Sequence, residues 1–204
     1  MNSQRIVEQI CAAPTELLLM SRKACHTSNV SSIVFAHSPL GGLHRAFLAW
    51  PGHLLTDNHL HGALTVGIHN HRYALRLRRI SGDIVNTNYY EGAGRSSREL
   101  NKWKFMSGEM KQAPVTKLIG TAAISKGVVS PIKEQWLELS VDTLHDIHCS
   151  GAAAWEVQEG AIERDFTTLY SSMGSIDTRG FYEPFDNRDE VIAHVEEFFM
   201  QTRC

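Results

Sequence analysis

Residues 63–80 constrain the fold more than any other part of the chain, because two chemically different sets of side chains alternate along them. Successive side chains of a β-strand point to opposite faces. The aromatic and aliphatic set is His69, His71, Tyr73, Leu75 and Leu77. The largely basic set is Asn70, Arg72, Ala74, Arg76 and Arg78. We therefore predict one long strand, with the first set facing a buried interior and the second facing solvent.

Short β-type runs separated by turn residues continue through most of the chain, which is typical of antiparallel strands. The predicted runs are residues 33–35, 46–50, 84–90, 115–120, 136–139, 144–148 and 154–157. Ser81, Gly82 and Asp83 predict a tight turn that returns the chain, as a β-hairpin, into the run 84–90. The polar residues 91–107 predict a long, flexible loop.

Helices are predicted at both ends of the chain. Apolar residues near the N-terminus recur at roughly helical spacing, which suits one or two short helices. Near the C-terminus, Asn187 is placed to cap a helix, with Glu190 three positions later in capping-box spacing. The predicted parts of this single domain, residues 1–204, are an N-terminal helical cover (1–30), a β-barrel (31–172) and a C-terminal helix (187–202).

The composition argues against some classes of partner. A formal net charge of -2 and a pI near 6.6 leave binding to nucleic acid or to an anionic membrane without its usual electrostatic attraction. A small molecule is therefore the expected ligand, and a homodimer is compatible with these features. The four cysteines are scattered, with no Cys-x-x-Cys pair, which favours a reducing compartment. We recognise no signal peptide and no membrane-spanning run, so we expect a cytoplasmic protein.

Histidine is frequent, with eleven residues, and it clusters in two neighbourhoods of the sequence. A His-x-His pair on a strand, such as His69 and His71, places both imidazoles on one face, close enough to share a metal ion. A third ligand must then come from another strand. His145 is the expected one, since on a regular strand it shares a face with Ile147, whereas the opposite face carries Asp146, which is costly to bury unpaired.

Three further histidines leave alternatives open. His148 replaces His145 at the site if a β-bulge shifts the register of that strand. His59 and His61 have the same alternation as the first pair, and they either join the ligands or line the mouth of the barrel. An interior histidine can also be a hydrogen-bonded core residue that binds no metal.

The residues around the first pair resemble the first motif of the cupin superfamily, which reads Gly, five residues, His-x-His, three or four residues, Glu, six residues, Gly. The corresponding residues are Gly62, His69, Asn70, His71, Leu75 and Gly82. Leu75 stands where the motif has glutamate, and the leading glycine is displaced by one residue. His145 is the best match to the histidine of the second motif, without its Pro-x-Gly lead-in or trailing asparagine. The resemblance implies a mainly β fold, a cupin-type double-stranded β-helix (jelly-roll) barrel with N-terminal helices and a C-terminal helix.

Cupins with three histidines, such as the cysteine and other thiol dioxygenases, suggest what this site does. By this resemblance the histidines hold a divalent metal, Fe(II) by preference with Zn, Mn or Ni as alternatives, and the chain is a non-haem Fe(II) oxygenase acting on a small molecule. Tyr73 would lie one strand period beyond His71, as a catalytic residue that orients substrate or relays a proton. The alternatives are a non-catalytic small-ligand-binding cupin module and a metal-dependent isomerase or hydrolase on the same fold.

Overall fold

Strands make up most of the protein in a computed structural model that describes residues 3–25, 30–50, 64–65, 68–94, 97–106, 115–172 and 182–202. The helices are α1 (Ser3–Cys11), α2 (Thr15–Leu18) and α3 (Arg188–Gln201). The first strands are β1 (Arg22–Cys25), β2 (Val30–His37), β3 (Gly41–Ala49), β4 (Leu64–Thr65), β5 (Ile68–His69), β6 (Leu75–Ser81) and β7 (Ile84–Glu91). The remaining strands are β8 (Arg98–Met106), β9 (Val115–Pro131), β10 (Leu137–Leu139), β11 (Leu144–Cys149), β12 (Ala153–Gly160), β13 (Thr167–Ser171) and β14 (Tyr182–Pro184).

The strands form two antiparallel sheets. The first sheet has the order β10-β6-β12-β3-β2-β1-β14, and the second has the order β4-β11-β5-β13-β8-β9-β7. Strand β11 also pairs with β7, so the second sheet curls until its two ends meet. The predicted mainly β fold is confirmed, and the arrangement is an antiparallel β-sandwich with helices at both ends of the chain.

An apolar core fills the space between the two sheets. Leu77 and Trp155 contribute to it from the first sheet, and Ile84 and Ile147 contribute from the second. The ring of Phe47 stacks on Trp155 with 5.4 Å between the ring centroids. Burying each of these large side chains contributes about 1.5–3 kcal/mol to folding, so this core holds the two sheets together around the candidate site.

The helices cover the outer face of the first sheet. Helix α3 begins at its N-cap Asn187, whose side chain accepts a hydrogen bond from the backbone N–H of Glu190, as predicted. Its Val195 and Phe198 pack in one cluster with Ile33 and with residues of α1. The predicted N-terminal cover also contains the strand β1, while the predicted domain boundaries stay a prediction. No helix in the described part of the chain is long and apolar enough to cross a membrane.

The second sheet buries its other face as well. Leu144 and Tyr89 belong to a third apolar cluster on that face. Asp146, which we expected to face away from the interior, is fully buried there, and it accepts a hydrogen bond of 2.7 Å from the Tyr89 hydroxyl. Burial and this carboxylate raise the pKa of Tyr89. The cost of burying the acid is thus offset by hydrogen bonding, which the sequence pattern could not reveal.

The predicted long strand over residues 63–80 is wrong. The chain runs along the second sheet through β4 and β5, crosses the sandwich at residues 70–74, and enters the first sheet as β6. The crossing is held by backbone bonds to a distant loop, because the carbonyl of Arg72 accepts from the N–H groups of Glu163 and Arg164. The alternation of side chains therefore continues across a change of sheet.

The predicted hairpin at Gly82 is wrong for the same reason. The turn exists, and Gly82 has a positive φ of 73°, but it joins β6 of the first sheet to β7 of the second. Strand β7 pairs with β9 and β11 rather than with β6.

Residues 91–107 do not form the predicted loop, since Arg98–Met106 is strand β8 between β9 and β13. The register between β8 and β9 shifts between Lys102 and Trp103. The extra residue of this shift lies in β9, and β8 pairs with β13 without a shift. The two buried residues Leu100 and Trp103 lie three positions apart, on opposite faces of β8, so the two-residue period typical of a strand does not show. Residues 95, 96 and 107 lie outside the described residues.

Candidate metal centre

Three histidines converge between the sheets, as the sequence predicts. His69 ends β5 and lies directly opposite His145 of β11 in the register of the two strands. His71 follows two residues later, where the crossing begins. One ring nitrogen from each histidine lies within 4.8 Å of the others, and the ring centroids are 4.7, 4.9 and 5.0 Å apart.

The residue between the first two histidines fixes their common direction. The side-chain oxygen of Asn70 accepts a hydrogen bond of 2.7 Å from the backbone N–H of Thr168. The backbone N–H of Asn70 donates to the Thr168 carbonyl at 3.1 Å. These two bonds hold the backbone against β13 beyond the formal end of β5. The His-x-His alternation therefore persists through His71, although the strand ends at His69.

The spacing of the nitrogens fits a shared metal ion. The Nε2 atoms of His71 and His145 are 2.8 Å apart. Imidazole nitrogens lie about 2.0–2.2 Å from a first-row metal, so two ligands at about 90° are about 3 Å apart and two tetrahedral ligands about 3.4 Å. His69 and His145 are buried, with 4% and 1% of their surface exposed, whereas His71 is half-buried.

A second contact sets the orientation of His145. Its Nδ1 lies 2.6 Å from the Oδ1 of Asn86, and the Nδ2 of Asn86 donates to the Oδ1 of Asn88 at 2.8 Å. Our sequence reasoning missed both asparagines. The signal was their position at every second residue of the run 84–90, on the same face as the apolar Ile84.

Tyr73 lies beside this cluster. Its ring stacks on His71 with the centroids 5.7 Å apart. Its hydroxyl donates a hydrogen bond of 2.6 Å to Oε1 of Glu159, a carboxylate on β12 with 4% of its surface exposed. The Nε of Arg45 lies 2.6 Å from the same oxygen. The sequence reasoning missed Glu159 and Arg45, although both alternate with apolar residues that face the interior.

The alternative histidines are not part of the cluster within the described residues. The Nε2 of His148 lies 2.8 Å from a carboxylate oxygen of Asp146, on the opposite face of β11. Residues 144–149 of β11 pair with β7 without a register shift, so β11 has no bulge that would exchange His145 and His148. The alternation of β11 is preserved. His59, His61 and Gly62 lie outside the described residues.

Two further features of the interior bear on the chemistry. Burial raises the pKa of the Cys149 thiol to about 12, so this cysteine, on the same face of β11 as His145, stays a neutral core residue rather than a thiolate ligand. A cavity of about 460 Å³ opens elsewhere, near Asp83, Ile84 and Lys133, and none of the three histidines lines it. The three histidines therefore lie apart from that cavity.

Comparisons with known proteins give distant likenesses, all among solved structures. No model of a protein family and no curated protein matches the sequence. Among solved structures, the chain is similar to hydroquinone 1,2-dioxygenase from Sphingomonas sp. TTNP3 with 4-hydroxybenzoate bound, at 12% sequence identity and a TM-score of 0.31. The match covers 59% of this chain and 60% of that chain, so it spans less than two thirds of the dioxygenase. The functional argument rests on the geometry of the site.

Proposed function

We propose that His69, His71 and His145 bind a divalent metal, Fe(II) by preference, and that the protein is a non-haem oxygenase acting on a small molecule. The observation that carries this proposal is the convergence of three interior imidazoles, with two Nε2 atoms 2.8 Å apart. Three neutral nitrogen ligands on one side of an ion leave positions open for other groups. When bound there, Fe(II) supplies the redox chemistry that activates O₂.

A donor set of three imidazoles suits several first-row divalent ions. Fe(II), Mn(II) and Ni(II) accept ligands at about 90°, whereas Zn(II) in proteins is usually tetrahedral. Zinc, manganese and nickel remain the alternatives to iron. Within the described residues, no carboxylate belongs to the group of candidate ligands.

Tyr73 is the residue of the chain best placed to act on a substrate. Its ring contacts His71, and its hydroxyl is directed by Glu159. Because Glu159 is also paired with Arg45, the carboxylate is held in one place. We propose that Tyr73 orients substrate next to the metal or moves a proton to or from it.

A metal-free binding module is the second candidate, and one observation favours it. A separation of 2.8 Å is also an ordinary hydrogen bond between two neutral imidazoles, one of which donates. In that case the interior would hold a small ligand without catalysis. A metal-dependent isomerase or hydrolase differs from the oxygenase only in what happens to the bound substrate.

Metal analysis of the protein purified without chelator tests the proposal. We expect about one metal ion per chain, and we expect His69→Ala, His71→Ala and His145→Ala each to lose most of it while remaining folded by circular dichroism. His148→Ala is the matched control, since His148 faces away from the cluster, and it should retain the metal. A full complement of metal in His145→Ala would show that the site is assigned wrongly.

Oxygen consumption separates the candidate functions. Protein that carries iron and consumes O₂ with a thiol or another small substrate supports the oxygenase. Protein that contains no metal but retains a small ligand through purification supports the binding module. Metal without any O₂ consumption points to the isomerase or hydrolase.

A further inference from the structure

We propose that Asn86 is the positioning residue of the metal centre, which holds His145 so that Nε2 is the nitrogen presented to the metal. This inference rests on the proposed function, because it assigns the contact that orients one of the three proposed ligands. Asn86 lies on β7, which pairs with β11 along the edge opposite to β5. His145 is therefore held by β7 on one side and faces His69 of β5 on the other.

The hydrogen-bonding groups of the two side chains decide which nitrogen carries the proton. The Oδ1 of Asn86 can only accept, so the Nδ1 of His145 at 2.6 Å must be the donor. A neutral imidazole with a proton on Nδ1 has a lone pair on Nε2. That is the atom 2.8 Å from the Nε2 of His71.

The amide of Asn86 is held in the required orientation by its neighbour. Its Nδ2 donates to Oδ1 of Asn88 at 2.8 Å. If the amide turned over, its NH₂ group would face the N–H of His145, and its oxygen would face the oxygen of Asn88. Keeping both hydrogen bonds would then require the Asn88 amide to turn over as well and the proton of His145 to move to Nε2, and the tautomer measurement below distinguishes these two arrangements.

Asn86 places a polar amide next to the apolar core. Asn86 is 1% exposed, and Ile147, its partner in the register, belongs to the apolar core. An aliphatic residue there would avoid the cost of burying an amide, about 1–3 kcal/mol when a partner is missing. Partners that orient ligand histidines typically change metal affinity by about 10–100-fold, which is the advantage that we assign to this residue.

The Co(II) affinities of the unaltered protein and four variants, measured by competition with a chromophoric chelator, test the inference. We expect Asn86→Leu and Asn86→Ala to bind Co(II) about 10–100-fold more weakly than the unaltered protein. Asn86→Asp keeps an acceptor at the same place, so it should bind at least as tightly. Thr87→Val is the matched control, because the buried Thr87 is the next residue on the opposite face of the same strand, and it should leave the affinity unchanged.

The tautomer of His145 gives a readout that needs neither metal nor activity. In metal-free protein labelled with ¹⁵N-histidine, we expect His145 to carry its proton on Nδ1, and we expect this tautomer to lose its dominance in Asn86→Leu. A proton on Nε2 in the unaltered protein, or unchanged Co(II) affinity in Asn86→Leu and Asn86→Ala, would overturn the inference. If no protein in the set binds metal, the proposed function fails, while the tautomer still decides the role of Asn86.

Discussion

Polar side chains in the space between the sheets contact one another in a line from one sheet to the other. In order of contact the line is Asn86, His145, His71, Tyr73, Glu159 and Arg45. Hydrogen bonds join Asn86 to His145, His145 to His71 and Tyr73 to Glu159, so the cost of removing these groups from water is offset only while the neighbour is present. A substitution at one position therefore affects the residues on both sides of it.

His194 of α3 lies away from the candidate site, and its burial makes the stability of the fold depend on pH. Burial lowers its pKa to about 4, and its Nε2 lies 2.6 Å from the hydroxyl of the buried Ser31. In the unfolded chain a histidine titrates near 6.5. Above that pH both states are neutral and there is no effect. As the pH falls from about 6.5 to 4, the unfolded state takes up the proton first, so the folded state loses stability.

We expect His194→Asn to lose less stability between pH 7 and pH 4 than the unaltered protein, by about 1–2 kcal/mol after allowing for partial exposure. Urea unfolding at several pH values measures this difference. The nearby Glu190 and Lys23 shift the pKa of His194 in opposite directions. Both residues are present in the variant and in the unaltered protein, so the effect of their own titration on stability largely cancels in the comparison. Parallel pH profiles for the two proteins would contradict the assignment.

Strands were predictable from the sequence where their alternation is regular and hidden where it is not. The strand-like run at residues 144–148 predicted β11, and the capping-box spacing of Asn187 and Glu190 predicted the start of α3. Strand β8 was missed because its two buried residues, Leu100 and Trp103, lie on opposite faces of the strand and show no two-residue period. The crossing between β5 and β6 was missed because the alternation continues through it, although the hydrogen bonds change from one sheet to the other. Local patterns report which face a side chain takes, but not which strand lies next to it.

Gly82 forms the tight turn between β6 and β7, and its contribution to stability can be tested. A Cβ atom at Gly82 would lie 2.8 Å from the Cβ of Ala153 and closer still to the carbonyl of Ala152, and the φ angle is 73°. Gly82→Ala should therefore destabilise the fold by about 3 kcal/mol, through backbone strain and the clash together. Gly151→Ala is the control, since a Cβ there meets open space, and it should stay within about 0.5 kcal/mol.

Urea unfolding of both glycine variants measures the difference. A Gly82→Ala protein as stable as Gly151→Ala would mean that the corner between the sheets relaxes at little cost. It would then not fix how β6 and β7 enter the two sheets.

For the molecule as a whole, the sequence predicted the cluster of three histidines better than its surroundings. His69, His71 and His145 share an unusual residue type and a regular spacing, and the fold brings them together. Arg45 and Glu159 are polar residues on strands, and such residues usually face water. Their two-residue spacing from Phe47 and Val157 puts them on interior-facing sides of their strands, but their charge alone predicts exposure, and only the packing of the two sheets buries them.

Because the three histidines come from two strands and the crossing between the sheets, metal binding should stabilise the whole sandwich. A metal that binds only the folded state adds about 2.7 kcal/mol when its concentration is a hundred times the Kd. For a chain of 204 residues this corresponds to a rise in Tm of about 5–10 °C. We expect such a rise when Fe(II) is added under anaerobic conditions, or when Co(II) is added in air, and we expect a chelator to reverse it.

His145→Ala should show no rise, whereas His148→Ala should respond like the unaltered protein. Equal rises in His145→Ala and the unaltered protein would place the metal elsewhere on the surface, and no rise in any of them would favour the metal-free binding module.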